Sequence, residues 1–167
     1  AVPGLAGVPL THRHLTQGFV VVSGHVAPDD ARSDVDWDAL ARLGLTIVVL
    51  MGVAALPVIA ERLISAGMDP STPAASIADG GMTSQRQVRS TLAALPGAAA
   101  EQDIGAPAVT VIGPAVNVTS RMQTLTKELR RQVLLSAPFA LMCGCSAEFL
   151  ATLGRFPLRG VDDPLEV

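Results

Sequence analysis

Apolar residues in the first 113 positions fall into short runs separated by glycine, proline and polar residues. Runs at 18–25, 45–51, 73–79 and 107–113 have the length and composition of strands. The run at 45–51 is continuously apolar, which is typical of a strand covered on both faces. Residues 86–101 are strand-like and then helical. The pattern therefore predicts a mixed, mostly parallel sheet.

Helix signals lie between these runs. Residues 37–43 follow Asp36 and Asp38, either of which can act as an N-cap. In residues 56–67, apolar side chains recur on one helical face, with Pro57 in the first turn and Gly67 at the left-handed position after the end. This alternation of strands and helices predicts an α/β fold with helices flanking the sheet.

The pattern changes after Gly113. Residues 116–131 predict an amphipathic helix, 132–138 a strand, 139–154 a short helix, and 155–167 two short strands around a turn. We expect one domain at 1–116 and a small α+β tail at 117–167. The boundary should lie between Gly113 and Asn117.

Composition narrows the function classes. The chain is 49% hydrophobic and 16% charged, enough apolar material for a core and unlike a disordered segment. The net charge of -3 argues against nucleic acid as the main partner. The longest apolar run, 45–60, is interrupted by Gly52 and Pro57, which argues against a membrane span. Having only two cysteines and no evident targeting segment favours a cytoplasmic protein.

Two sequence patterns resemble parts of metal-binding motifs, but neither has the full set of ligands. The acids in 33–38 are spaced as at the start of a calcium loop, but Ala39 and Leu45 replace its required glycine and glutamate. A solvated loop that caps the helix explains them better. Cys143 and Cys145 lack a second ligand pair, so idle thiols are favoured. We expect no metal.

Three further segments carry candidate chemistry. Residues 9–15 concentrate two histidines with Arg13, either as an anion site or as a surface turn. Gly52 follows a predicted buried strand, where backbone can approach a ligand closely. Gly80 lies in a second glycine-bearing loop after a strand, which taken alone is a turn.

Taken together and in order, several segments resemble the C-terminal half of uroporphyrinogen-III C-methyltransferases, within the tetrapyrrole methylases. The resemblance covers residues 1–116 and is carried by "AGVPLTHR", "SGH", "VVLMGVAALPVIAERLISAGMDPSTPAA", "DGGMTSQRQVRSTLAAL" and "APAVTVIGPAV". It implies two α/β domains with S-adenosylmethionine bound between them. It also implies methylation of uroporphyrinogen III to precorrin-2, for sirohaem and cobalamin, by a homodimer.

The resemblance also implies site residues. Met51, Gly52 and Gly80 match family positions that contact S-adenosylmethionine or its product S-adenosylhomocysteine. Thr11, His12 and Arg13 match the segment beside the tetrapyrrole, whose eight carboxylates suit an arginine. Leu50 replaces the tyrosine that usually precedes Met-Gly. The resemblance covers only the family's C-terminal half, so we expect no catalytic residue here and no activity from this chain alone.

The tail has a second resemblance. "TVIGPAVNVTSRMQTLTKEL", with "QVLLSAPFA" and "LGRFPLRGVDDPLEV", is similar to the C-terminal part of class III adenylate/guanylate cyclase domains. This implies a purine-selecting role for Thr110 and phosphate or ribose contacts for Asn117 and Arg121. The metal-binding aspartates of cyclases have no match, so a helix N-cap and a solvated face are the favoured roles of Asn117 and Arg121. The alternative functions are therefore a cyclase-related protein or an inactive chimera.

Overall fold

A computed structural model of the protein describes residues 2–12, 15–117, 128–130, 151–156 and 165–166. The chain divides into two compact units, Ala1–Asn117 and Val118–Val167. The elements of the first unit are, in order, α1 (Val2–Leu5), β1 (Phe19–Ser23), α2 (Trp37–Arg42), β2 (Thr46–Leu50), α3 (Leu56–Ser65), β3 (Pro73–Ala78), β4 (Arg86–Thr91), α4 (Leu95–Glu101) and β5 (Ala108–Ile112).

The helix ends follow the sequence signals. Asp36 is the N-cap of α2, and its carboxylate accepts a hydrogen bond from the backbone N–H of Ala39 at 2.9 Å. Pro57 lies in the first turn of α3, and Gly67 follows its end with a φ of +103°. The helices predicted at 37–43 and 56–67 are confirmed. The short helix α1 was not predicted, because Pro3, Gly4 and Gly7 interrupt its apolar run.

The sheet is mixed, with strand order β1-β2-β5-β3-β4. Only β1 and β2 are parallel, and the other three pairings are antiparallel. The mixed α/β class is thus confirmed, but the prediction that the sheet is mostly parallel is wrong. Residues 79–85 are too few for a parallel crossover between β3 and β4. A continuous apolar run shows that both faces of a strand are covered, and it does not specify the strand's direction.

Each face of the sheet has its own core. On the first face, α2, α3 and α4 pack over strand residues such as Ile47, Val49 and Ile112. On the second face, a cluster formed by Ala6, Val8, Ala75, Ile77, Val111 and Val116 joins the N-terminal segment to β3 and β5. Residues 2–12 therefore cover the second face over β3 and β5.

The described part of the second unit contains two short antiparallel strands, β6 (Arg155–Phe156) and β7 (Leu165–Glu166). The two strands predicted within 155–167 are confirmed. The predicted strand at 132–138, most of the predicted helices at 116–131 and 139–154, and the cysteines at 143 and 145 lie outside the described residues. Within the ranges given above, no helix has the length and apolar character needed to cross a bilayer.

Candidate functional site

Three strands of the sheet end at one edge, here called the carboxyl edge. β1 and β2 are parallel, and β5 runs against both β2 and β3, so β1, β2 and β3 share a direction. Leu50 of β2 and Ile77 of β3 both lie opposite Val109. The loops after β2 and β3 are thus about 10 Å apart, two strand spacings. Open α/β sheets usually bind ligands at this edge.

The loops that follow β1 and β2 meet at two glycines. The N–H of Gly24 donates to the carbonyl of Leu50 at 2.8 Å. A Cβ on Gly24 would lie 2.8 Å from the Cα of Gly52 and 2.7 Å from Cγ1 of Val49. Carbon atoms do not approach so closely, so neither loop tolerates a side chain at this contact. The two loops are therefore packed tightly against each other and against β2, and both glycines are buried.

Met51 lies beside this contact in a strained conformation. Its φ is +56°, in the left-handed region that residues other than glycine seldom adopt. Holding a residue there costs on the order of 1–2 kcal/mol. Its side chain is 64% exposed, so packing does not offset that cost. Strain of this kind is common at ligand sites.

The loop after β3 has a similar form. Asp79 has a φ of +51° and directly precedes Gly80. The N–H of Asp79 donates to the carbonyl of Pro107 at 3.0 Å, which joins the loop to the start of β5. A Cβ on Gly80 would clash with the side chain of Val2 in α1. The loop is therefore held from both sides, and again only glycine fits.

The carboxyl edge offers both signs of charge. Helix α3 begins four residues after Gly52, and its N-cap residue Ala55 makes no side-chain capping bond. The helix dipole favours a negative group at this end. The N–H of Leu56 already donates to the carbonyl of Val53 at 3.4 Å, and Pro57 has no N–H. Asp79 adds a carboxylate at the end of β3. A ligand with both an anionic and a cationic group suits this edge.

The structure brings the predicted cofactor residues together and separates them from the predicted substrate residues. Met51, Gly52 and Gly80 all lie on the carboxyl edge. The backbone N–H of His12 donates to the carbonyl of Thr16 at 3.0 Å, just before β1 begins. His12 therefore lies near the opposite edge, about 15 Å away along a five-residue strand.

The substrate-side segment is described only in part. Thr11 is exposed, and Arg13 lies outside the described residues. Nδ1 of His12 is buried and has no hydrogen-bond partner within the described ranges. A buried polar atom without a partner costs about 1–3 kcal/mol, so this nitrogen is a candidate ligand contact.

The cyclase-like residues are not brought together at a site in the described part of the chain. Thr110 is 2% exposed in β5, and its hydroxyl is hydrogen-bonded to that of Ser76 in β3 at 2.8 Å. Asn117 is half-buried at the end of the first unit, and Arg121 lies outside the described residues. The hydroxyl of Thr110 therefore joins two strands within the sheet.

Two residues of the carboxyl edge were missed by sequence reasoning, Gly24 and Asp79. Gly24 follows a strand just as Gly52 does, so its position in "SGH" was a usable signal. The left-handed conformation of Asp79 has only a weak signal, the general tolerance of Asp for that region.

Three acids in the loop before α2 and in its first turn, Asp30, Asp36 and Asp38, bond to protein groups. Asp30 accepts two hydrogen bonds from the Arg32 side chain, and this guanidinium holds the pKa of Asp30 well below its usual range. Asp38 forms an ion pair with Arg62 at 2.8 Å, and the prediction that an acid of this loop caps α2 is confirmed by Asp36. In the part of the chain that the structure describes, no group of three or more His, Cys, Asp or Glu could hold a metal ion.

Sequence comparison finds relatives among the tetrapyrrole methylases. The family model described as Tetrapyrrole (Corrin/Porphyrin) Methylases matches residues 1–96. An S-adenosyl-L-methionine-dependent uroporphyrinogen III methyltransferase of Methanosarcina barkeri is 43% identical over 118 residues, which are 71% of this chain and 46% of the relative. A siroheme synthase of Gluconacetobacter diazotrophicus is 42% identical over 111 residues, 66% of this chain and 23% of the relative. The chain thus spans less than half the length of these relatives.

Structural comparison agrees with the sequence. The native uroporphyrin III C-methyl transferase of Thermus thermophilus superposes with a TM-score of 0.58 at 32% identity, over 70% of this chain and 48% of that one. Its complex with S-adenyl homocysteine gives 0.55 at 33% identity, over 70% and 50%. A cobalt precorrin-4 methyltransferase shares the fold, with a TM-score of 0.62 at 21% identity. The resemblance of the tail to nucleotide cyclases has no support in these comparisons.

Proposed function

The chain belongs to the tetrapyrrole (corrin/porphyrin) methylases, and on this premise we propose that its carboxyl edge binds S-adenosylmethionine for the methylation of uroporphyrinogen III. The names of the relatives support this reaction, since one is an S-adenosyl-L-methionine-dependent uroporphyrinogen III methyltransferase. A similar solved structure, a uroporphyrin-III C-methyl transferase, is complexed with S-adenyl homocysteine. The expected product is precorrin-2, on the way to sirohaem and cobalamin.

The observation that carries the proposal is the glycine contact beside the strained Met51. Gly24 and Gly52 pack the loops after β1 and β2 against each other and so fix the position of Met51. Met51 presents an exposed side chain at the same point. The α3 terminus suits the carboxylate of the cofactor, and Asp79 suits its cationic groups. These features together fit a zwitterionic ligand better than a simple anion.

The tetrapyrrole is proposed to lie along the second face of the sheet, toward the segment that contains Thr11, His12 and Arg13. In this proposal, Nδ1 of His12, which has no hydrogen-bond partner among the described residues, and the guanidinium of Arg13 are suited to peripheral carboxylates. In the same proposal, the chain forms one side of the site that binds the cofactor and the tetrapyrrole. Methyl transfer also needs alignment of donor and acceptor and exclusion of water, which a single open sheet edge does not provide. Activity of the chain alone is therefore not expected.

Three finer points are proposals as well. The domain boundary at 116/117 is supported by the compact unit Ala1–Asn117 and by the burial of Ala115 and Val116. A homodimer and a cytoplasmic location rest on the family resemblance and on the cysteine content.

Calorimetric titration with S-adenosylhomocysteine tests the proposal. We expect the 167-residue chain to bind with a Kd below about 1 mM. This Kd corresponds to a binding free energy of about −4 kcal/mol, and weaker binding would not indicate a cofactor site. Gly52→Ala should weaken binding at least tenfold, because the added Cβ would lie 2.5 Å from Val49 Cγ1 and would move the loop. Gly97→Ala is the control, since a Cβ there meets no atom within 4 Å. Equal affinities for the two variants would refute the placement of the cofactor, and no binding by the wild type would refute the proposal.

A cyclase-related function is the second candidate, and it rests on the resemblance of the tail, above all on the spacing of Asn117 and Arg121. The hydrogen bond between Thr110 and Ser76 counts against it, since it occupies the hydroxyl assigned to purine selection. Incubation with ATP and Mn²⁺ is expected to give no cyclic AMP. Detectable cyclic AMP would reverse the ranking of the two candidates.

A further inference from the structure

Arg89 links β4 to the N-terminal segment. One nitrogen of its guanidinium, Nη2, donates to the backbone carbonyls of Ala6 and Gly7 at 3.1 and 3.0 Å. Both carbonyls belong to the segment 2–12, which has no regular structure after α1 and is held to the sheet mainly by side-chain packing. The two bonds are the described polar side-chain contacts between β4 and this segment.

The position of Arg89 in the sheet explains why it can reach the segment. Arg89 lies opposite Ala75 of β3, and Ala75 lies opposite Val111 of β5. Ala75 and Val111 belong to the second-face cluster over which Ala6 packs. Arg89 therefore extends the same face outward to the last strand, beside the point where the segment crosses the sheet.

Keeping a charge here is costly. Arg89 is about half-buried, and this burial lowers the pKa of its guanidinium below the usual value. Its Nη1 is buried and has no hydrogen-bond partner in the described part of the chain. An apolar side chain beside Ala75 would avoid both penalties. The benefit that remains is the pair of charge-assisted bonds to the segment.

The segment that Arg89 grips connects the two halves of the proposed site. At one end, Val2 packs against Gly80 on the carboxyl edge. At the other end, His12 is bonded to Thr16 near the opposite edge. Ala6 and Gly7 lie between these points. The hydrogen bonds from Arg89 at this position limit how far the segment can shift along the sheet.

We infer that Arg89 is a positioning residue, which holds the segment 2–12 on the sheet so that Thr11 and His12 face a carboxylate-rich tetrapyrrole. The choice of a tetrapyrrole as the ligand rests on the proposed function. The two hydrogen bonds that hold the segment do not depend on any ligand. Arg89 acts through the segment and is not assigned a contact with the reacting atoms.

Hydrogen exchange and porphyrin binding test the inference together in the full chain. The variant Arg89→Met keeps the bulk of the side chain and removes its donors. Arg86→Met is the matched control, on the same strand but half-exposed and bonded to the carbonyl of Gln102 instead. Arg89→Lys keeps the charge but loses the fork, and should restore part of each effect.

We expect exchange at the amides of Ala6, Gly7 and Val8, which are bonded within the segment, to become at least tenfold faster in Arg89→Met. Core amides of β2 and β3 should keep the wild-type rate, and Arg86→Met should match the wild type throughout. Affinity for uroporphyrin III, measured by fluorescence quenching, should fall at least fivefold in Arg89→Met. Affinity for S-adenosylhomocysteine should change less than twofold.

Each other outcome has a definite meaning. Unchanged exchange in residues 6–8 would overturn the inference, because the segment would then be held without Arg89. Faster exchange with unchanged uroporphyrin affinity would overturn the positioning role. Equal losses for both ligands together with faster core exchange would indicate general destabilisation and would overturn it too. If the wild type binds neither ligand, the proposed function and the positioning role both fail, while the exchange data still decide whether Arg89 holds the segment.

Discussion

Met51 combines a conformational cost with an exposed side chain, so stability and ligand binding should respond to it in opposite directions. Met51→Gly removes the left-handed strain, which stabilises the folded state by about 1–2 kcal/mol. It also makes the unfolded chain more flexible, which stabilises the unfolded state by about 0.5–1 kcal/mol. We expect the free energy of unfolding in urea to rise by about 0.5–1 kcal/mol. The affinity for S-adenosylhomocysteine should fall several-fold, because the side chain at the cofactor edge is lost.

Met82→Gly is the control for this change. Met82 is 63% exposed, close to the value for Met51, but its φ is not positive. Its replacement should lower stability by about 0.5–1 kcal/mol, since only the entropic term applies. A loss of stability in Met51→Gly as large as that in Met82→Gly would show that Met51 is not strained.

At the level of the elements, a buried hydrogen bond between side chains adds to the backbone pairing of β3 with β5. Ser76 and Thr110 are both buried, and their hydroxyls form a hydrogen bond of 2.8 Å. Ser76→Ala or Thr110→Val leaves the other hydroxyl buried without its partner, at a cost of about 1–3 kcal/mol. The double variant should cost less than the sum of the two, with a coupling on the order of 1 kcal/mol, measured from urea unfolding.

Thr46→Val is the control for this cycle. The hydroxyl of Thr46 is also buried, but it has no hydrogen-bond partner within the described ranges. Its replacement by a methyl group should be neutral or stabilising. Additive effects at Ser76 and Thr110 would show that the two hydroxyls do not form a stabilising hydrogen bond.

The sequence predicted the elements well and their arrangement less well. Apolar runs and helix-end signals located the strands and the helices α2 and α3, since Pro57 and Gly67 act locally. The antiparallel entry of β5 between β2 and β3 depends on which partner is available in space, which no local pattern encodes. The site was predicted in part, because Met51, Gly52 and Gly80 carry a family resemblance. The hydrogen bonds of Arg89 could not be predicted, because their acceptors, Ala6 and Gly7, lie 83 and 82 positions earlier in the chain.

At the scale of the whole molecule, the chain is expected to consist of two units that proteases can separate. Limited proteolysis should give a stable fragment that ends between residues 114 and 145, because Ala1–Asn117 is compact by itself and its core includes Val116. Mass spectrometry of the fragments identifies the cut. Protection throughout 114–145, with cleavage elsewhere first, would mean that the tail belongs to the same folded core.

The central claim is that the carboxyl edge of the sheet is a cofactor site. The most direct test is to map amide chemical-shift changes on the ¹⁵N-labelled chain during titration with S-adenosylhomocysteine. We expect the largest changes at Gly24, Met51, Gly52 and Gly80, with the outer strand β4 and the start of β1 unaffected. Changes centred at the opposite edge of the sheet, or no changes at millimolar ligand, would contradict the claim.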